Sequence, residues 1–355
     1  MKNYRDVQVK GKKNKIDLLA RKKYNSYTFI CGITTAVGYC FCNFANVKLC
    51  TRKIYRQMQN NKTNDYLRLH TGILLAGATG VFGRLISLAE LPLVWYRMII
   101  SAAVLALVLR MSHRLSIPNR QHLMRIGGCG VLLAIHWTLF YASIKASNVS
   151  IAVVCIALNG FFTAIIEPLT GHRRLSLREL LLSMITLAGI LLIFGLDTRH
   201  RTGIIIGTFS SLFYTLFAVA SKRVQHNTGH SSSTMLLYEL LVGWGFLTLI
   251  LPFYAFLFPS AALLPTAWDW AYIPVFASVF TIGPFLTQLQ ALRTISAFTV
   301  NLSYNLEPIY SIVLAMMIFN EGQELNFSFW TGVFMIILSV VLQTILSRKR
   351  KEQTA

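Results

Sequence analysis

The sequence predicts an all-α membrane protein with ten transmembrane helices arranged as two inverted five-helix repeats. Three observations carry that prediction. Apolar stretches of membrane-spanning length recur along the chain, basic residues gather at the ends of those stretches, and the second half of the chain repeats the first.

Ten apolar segments follow Leu69, at about 70–88, 92–111, 122–142, 149–169, 177–196, 203–221, 235–257, 270–292, 297–318 and 328–347. A helix of about 20 apolar residues crosses a hydrocarbon layer of about 30 Å. The breaks carry turn chemistry or charge: Glu90-Leu91-Pro92, Ser116-Ile117-Pro118-Asn119, Gly171-His172-Arg173-Arg174, Asn227-Thr228-Gly229 and Asn320-Glu321-Gly322. The chain is 54% hydrophobic and only 13% charged, about half the charge of a soluble domain. Its net charge of +21 would by itself suit nucleic acid. The charges sit at the ends of apolar segments, however, which is how a membrane protein fixes its orientation, and nucleic acid is excluded as a partner.

If the first span starts on the cytoplasmic side, sixteen Lys/Arg fall at cytoplasmic ends, from Lys62 and Arg68 through Arg110, Lys222, Arg223 and Arg293 to Arg348–Lys351. The other side holds Lys145, Arg199 and Arg201 alone. Both termini are therefore expected in the cytoplasm, with the protein in the cytoplasmic membrane.

Residues 1–57 differ from the rest. Thirteen Lys/Arg against Asp6 and Asp17 give them +11 of the total +21. The apolar stretch between about Tyr27 and Ala45 is short, is broken by Asn43 and has nine basic residues ahead of it, so it is not read as an eleventh span. Met58 opens a polar stretch before the first strong span. The expectation is that translation starts there. The alternative is a basic arm on the cytoplasmic membrane surface. The organisation is then a 1–57 extension, a cytoplasmic lead at 58–69, repeats at 70–196 and 203–347, and a basic tail at 348–355.

The repeat is gapless between the third to fifth and the eighth to tenth spans, at an offset of 148. Lys145 falls on Arg293, Asn159-Gly160 on Glu307-Pro308 and Thr163 on Ser311. The second and seventh spans match at an offset of 142, placing Tyr96-Arg97 on Tyr238-Glu239. Units of five spans each must be inverted in the membrane. Inverted repeats recur in secondary transporters, with substrate near the midplane and access alternating as one part rocks against another.

The residues that carry a family resemblance now stand in order. They are Trp95-Tyr96-Arg97, the turn Ala142-Ser143-Ile144-Lys145, the matching turn Ala291-Leu292-Arg293, the helix Asn305 to Ala315 and Asn320-Glu321. Over about residues 70–347 the chain resembles the drug/metabolite transporter superfamily, specifically the EamA-type permeases. The resemblance implies export of amino acids, other metabolites or drugs. Two departures occur: Asn159-Gly160 stands in place of a proline-containing turn, and Gly171-His172 where a Gly-Glu ending is common.

Charge inside a membrane is costly, about 2.5–3.5 kcal/mol on insertion scales, so it marks function or a partner. Glu307 is the foremost candidate. It lies near the midplane of the ninth span, next to Pro308, with Tyr304 and Asn301 on one face and Asn305 beside it. Such a carboxylate can bind a substrate amine or carry a proton, the latter making protons a coupling ion. Arg84 and Arg97 are candidates to hold Glu307 at rest or to bind a substrate carboxylate. His136, Trp137, Tyr141, Asn159 and Gln288 complete the candidate cavity lining. Glu167 and Glu239 are read as gating or structural ion pairs, with Lys222 and Arg223 expected as partners of Glu239 and no direct Arg97–Glu239 pair. Gly77, Gly80, Gly83, Gly203 and Gly207 make small-residue faces for close helix contact.

The six cysteines form no CxxC or zinc-like spacing, and no cofactor or metal is implied. No HExxH, GxSxG or phosphate-binding GxxxxGK[ST] occurs, so a membrane-embedded enzyme and direct ATP drive fall behind a secondary transporter. A scaffold or regulatory membrane protein is the second reading. Expected partners are a small-molecule substrate, the lipid bilayer and, as an option, a second copy of the chain.

Overall fold

The computed structural model describes residues 66–354 apart from 171–176, 197–198, 292–302, 305 and 324. These belong to one compact unit, Thr63–Ala355. The 1–57 extension, Arg173, Arg174, Arg293, Asn301 and Asn305 lie outside the described residues, as does the side chain of Gln288.

Helix occupies part or all of each of the ten apolar segments, and no strand occurs among the described residues. The first segment holds α1 (66–77) and α2 (Thr79–Leu85), separated at Ala78. Next come α3 (Glu90–Met111) and α4 (Arg120–Ala146). The fourth segment is divided into α5 (Val149–Ile156) and α6 (Asn159–Leu169). Then follow α7 (Leu177–Leu196), α8 (Arg201–Thr228) and α9 (Ser232–Leu257). The eighth segment is α10 (Ala267–Ala277), a π-helical stretch Ser278–Ile282 and α11 (Gly283–Ala291). The described chain ends with α12 (Glu307–Phe319) and α13 (Phe327–Thr354). Among the described residues, six helices meet both the length and the apolarity needed to cross a membrane.

Local chemistry sets the ends. Asn119 accepts from the His122 amide at 2.8 Å and Asn148 from the Ile151 amide at 2.9 Å, each capping a helix start. Thr266 and Asp269 form a reciprocal capping box at the start of α10. Gly229 closes α8 with φ 68° and Asn320 closes α12 with φ 57°, the left-handed residues that the two predicted turns supply. Pro92 sits in the first turn of α3, where its missing N–H leaves no intrahelical bond unmade.

α4 is the central element, packed most extensively on α8 and α9, while α3 packs on α9 and α7 on α13. The main core gathers Leu93, Met98, Leu105, Tyr141, Leu240 and Phe276. The outer surface is also apolar, with Leu249, Phe256, Met317 and Phe334 exposed. That pattern suits lipid as the surrounding solvent.

Because lipid offers no hydrophobic drive between helices, contact depends on close packing. Two glycine pairs show how close. A Cβ on Gly243 would lie 2.7 Å from the Gly130 carbonyl oxygen, and one on Gly130 would collide with the Glu239 backbone. Between α7 and α13, Cβ atoms on Gly189 and Gly332 would each meet the other's carbonyl oxygen, at 2.8 and 2.7 Å. The expected small faces also form: Gly77 abuts the α12 backbone, Gly83 the Tyr141 ring and Gly207 the Cys155 side chain. Gly130→Val should lower the thermal midpoint of the purified protein in detergent, by the equivalent of about 1–3 kcal/mol of overpacking. Gly128→Val, where an added Cβ meets nothing within 4 Å, should leave it within error.

Candidate functional site

The polar side chains inside the bundle fall into four arrangements.

The first surrounds Arg97. This side chain is 5% exposed. Its Nε donates to the Thr281 hydroxyl at 2.9 Å and its Nη1 to the Tyr141 hydroxyl at 2.5 Å. The guanidinium lies 3.8 Å from the Trp137 ring centroid and 4.5 Å from that of Phe276. Aromatic faces attract a cation through their quadrupole, and arginine's planar, weakly hydrated group suits that stacking. Arg97 makes no ion pair among the described residues. The π-helical stretch positions Thr281, whose hydroxyl donates on to the Phe276 carbonyl at 3.1 Å.

The second joins α4 to α8. His136 is buried, with Nδ1 3.0 Å from both the carbonyl and the hydroxyl of Ser210. Asn159 stands at the break between α5 and α6, and its side-chain oxygen accepts from Thr163 at 3.1 Å and Thr215 at 2.9 Å. These contacts tie α4 and the α5–α6 break to α8.

The third lies at the end of the bundle that carries the Lys145 turn. Glu321 is 0% exposed. It takes Arg84 Nη1 at 2.5 Å, the amides of Val149 and Ser150 at 3.0 and 2.9 Å, and the Ser150 hydroxyl at 2.6 Å. Nearby, Asp269 accepts from the Ser87 amide and hydroxyl at 2.8 and 2.6 Å, and Glu90 accepts from the Tyr254 hydroxyl at 2.9 Å.

The fourth surrounds Glu307. The residue is half-buried, and its carboxylate makes no hydrogen bond or ion pair among the described residues. Tyr214 and Tyr304 lie within electrostatic reach of it. Tyr304 donates to the Pro284 carbonyl at 3.3 Å. The Tyr214 ring lies 4.9 Å from that of His136 and 6.5 Å from that of Phe217. A carboxylate at the start of α12 thus lies in the same region as Tyr214 of α8 and Tyr304. This can pair with a cationic group while the rings take an apolar body. A separate apolar groove between α7 and α8, of about 220 Å³, is walled by Ile190, Leu191, Ile205 and Phe209 and includes neither Glu307 nor the two tyrosines.

Several expectations are corrected by these contacts. Arg84 does not hold Glu307, because Glu321 takes it. Arg97 does not hold Glu307 either, being enclosed by Trp137, Tyr141 and Phe276. Of the other candidate lining residues, Trp137 and Tyr141 contact Arg97, His136 contacts Ser210, and Asn159 contacts Thr163 and Thr215. Glu239 does not pair with Lys222 or Arg223: it accepts from the Ser221 hydroxyl at 2.7 Å, and Lys222 reaches Glu167 at 2.8 Å. Glu167 and Lys222 are thus an ion pair, with each other. Arg97 and Glu239 bond to different partners, Thr281 and Tyr141 for the one and Ser221 for the other. Sequence reasoning missed Tyr214, Glu321 and Asp269. The Thr266-x-x-Asp269 spacing was a readable capping signal, and Asn320-Glu321 was read only as a turn and a family mark.

These features define a multi-pass helical membrane protein with an enclosed polar interior. The signature of the EamA-like transporter family matches residues 66–195 and again 201–345, so the chain belongs to that family of membrane transporters. Among solved structures, one crystal structure of a protein superposes with a TM-score of 0.54 at 16% identity, covering 81% of this chain and 99% of that one, which shows a shared fold. Comparison with curated proteins finds no match.

Arg97→Ala should destabilise the protein strongly. It strands the buried Tyr141 hydroxyl, worth about 1–3 kcal/mol when unsatisfied, removes one of the two bonds of the Thr281 hydroxyl, and opens a cavity. The thermal midpoint in detergent should fall by many degrees, and Arg97→Lys should recover only part of the loss.

Proposed function

We propose that the chain is a secondary transporter that exports small amphipathic or amino-acid-like metabolites carrying an amine across the cytoplasmic membrane by alternating access. Ten crossings, as inverted repeats at 70–196 and 203–347 after a lead at 58–69, complete the reading. Both termini lie in the cytoplasm and the Lys145 turn faces outside, following the distribution of basic residues. Glu307 binds the amine, Tyr304 and Tyr214 flank it, and Asn301, Asn305 and Gln288 extend the lining. Glu307 also carries the coupling proton when the amine is absent.

The observation that supports this reading is that Glu307 is left unpartnered while Arg84, Arg97, Glu167, Glu239 and Glu321 each have contacts of their own. An interior carboxylate without a counter-charge is expensive unless a ligand or proton serves as its partner.

The test expresses the protein in an exporter-poor cell and compares released metabolites with those from Glu307→Gln at matched protein levels. The expected result is a small set of amine-bearing solutes enriched outside with the wild type only. In vesicles, Glu307→Gln should abolish accumulation against a gradient while sparing exchange. Uphill transport at the wild-type rate in that variant removes Glu307 from the mechanism. No solute difference between two folded proteins favours a scaffold or regulatory role.

A further inference from the structure

The Glu321 arrangement has the parts of a gate. Its donors come from α2, through Arg84, and from the first turn of α5, through Val149 and Ser150. The carboxylate itself is supplied by the 3₁₀ turn Glu321–Gln323 after α12, in the second repeat. A carboxylate at a helix N-terminus accepts from amides that have no intrahelical partner and is favoured there by the helix dipole. Here the acceptor lies 172 residues from the amide it binds, so the contact joins the two repeats.

What the carboxylate grips is a short lever. α5 has eight residues and stops at Ile156. Beyond it the helical ladder is broken: the Ala157 and Leu158 amides bond three residues back, to Val154 and Cys155, at 3.0 and 3.1 Å. Such a break is a site of bending. The far side of the break is fixed, because Asn159 is held by Thr215 of α8. Other ties between the repeats at this end, Ser87–Asp269, Glu90–Tyr254 and the Ala89 amide to the Ala262 carbonyl at 2.9 Å, involve neither α5 nor Glu321. The remaining bonds of α5, from the Ser211 hydroxyl to the Ile156 carbonyl at 3.2 Å and from the Cys155 thiol to the Ile204 carbonyl at 3.7 Å, hold its far end beside the break, so the Val149–Ser150 end is held by Glu321 and by apolar packing.

The geometry points to Glu321 as the latch of a gate whose moving part is α5, pivoting at Ala157-Leu158 and closing the Lys145 end of the transport path. In the closed state four donors compensate the buried carboxylate. On opening, water at the membrane boundary takes over the freed carboxylate, the Arg84 guanidinium and the two amides, which makes the release reversible. The inference rests on the transport reading for its purpose but not for its test.

The test uses the full chain with its six native cysteines replaced by alanine, reconstituted in nanodiscs that expose both faces. Ala152→Cys, on α5 and 0% exposed, reports α5 release through its rate of labelling by a membrane-impermeant maleimide. Ala134→Cys, also 0% exposed but on α4, reports general loosening. Glu321→Gln should raise labelling at position 152 about ten-fold or more, the worth of one charge-assisted hydrogen bond, and leave position 134 unchanged. Should Glu321→Gln fail to fold, Ser150→Ala, which removes the 2.6 Å donor and keeps the charge pair, should give a smaller rise with the same selectivity. Unchanged labelling at position 152, or an equal rise at both positions, overturns the latch. No substrate enters this assay, so its failure leaves the export reading standing, and failed export leaves the latch standing.

Discussion

In hydrocarbon a polar group has no water to fall back on, so each interior charge must find its partners inside the protein. That constraint orders the bundle. Arg97 is met by two hydroxyls and by aromatic faces from α4 and α10. Glu239 is met by Ser221 and Glu321 by Arg84 and the start of α5. Each of these contacts joins separate helices, so the cost of burying the charge also fixes how the helices sit against one another. Glu307 departs from the pattern among the described residues, and the departure is what sets it apart from the structural charges.

Helix–helix contact obeys a second demand. With apolar side chains equally content in lipid, association depends on van der Waals fit and on backbones coming close. The α4–α9 and α7–α13 crossings meet it by placing glycine against glycine. α4 then serves as the hub, tied to α8 through His136–Ser210 and through Ser143, whose hydroxyl donates to the Gly203 carbonyl at 2.7 Å.

The helix positions were legible because apolar length and terminal turns are local properties. Asn119, Asn227-Thr228-Gly229 and Asn320 act where they stand in the chain. Charge pairing was much less legible. Arg97 and Arg84 could be recognised as membrane-embedded charges, but their partners lie 44, 184 and 237 residues away. Nothing local distinguishes Glu321, the residue that takes Arg84, from an ordinary turn residue. The assignment of Lys222 to Glu239 failed for a geometric reason. Successive helical residues point about 100° apart, so Ser221 faces α9 while its neighbour Lys222 reaches Glu167. Tyr214 was hidden as one aromatic among many, and only the fold brings it within reach of Glu307.

The Gly130–Gly243 crossing has a consequence for mechanics. Where side chains interdigitate, a change in crossing angle forces rotamers over barriers. Where two backbones meet with no side chain between them, a few degrees of rotation disturb no rotamer at the contact point. At this crossing the α4 backbone lies directly against that of α9, so a side chain larger than hydrogen at either glycine would push the two helices apart.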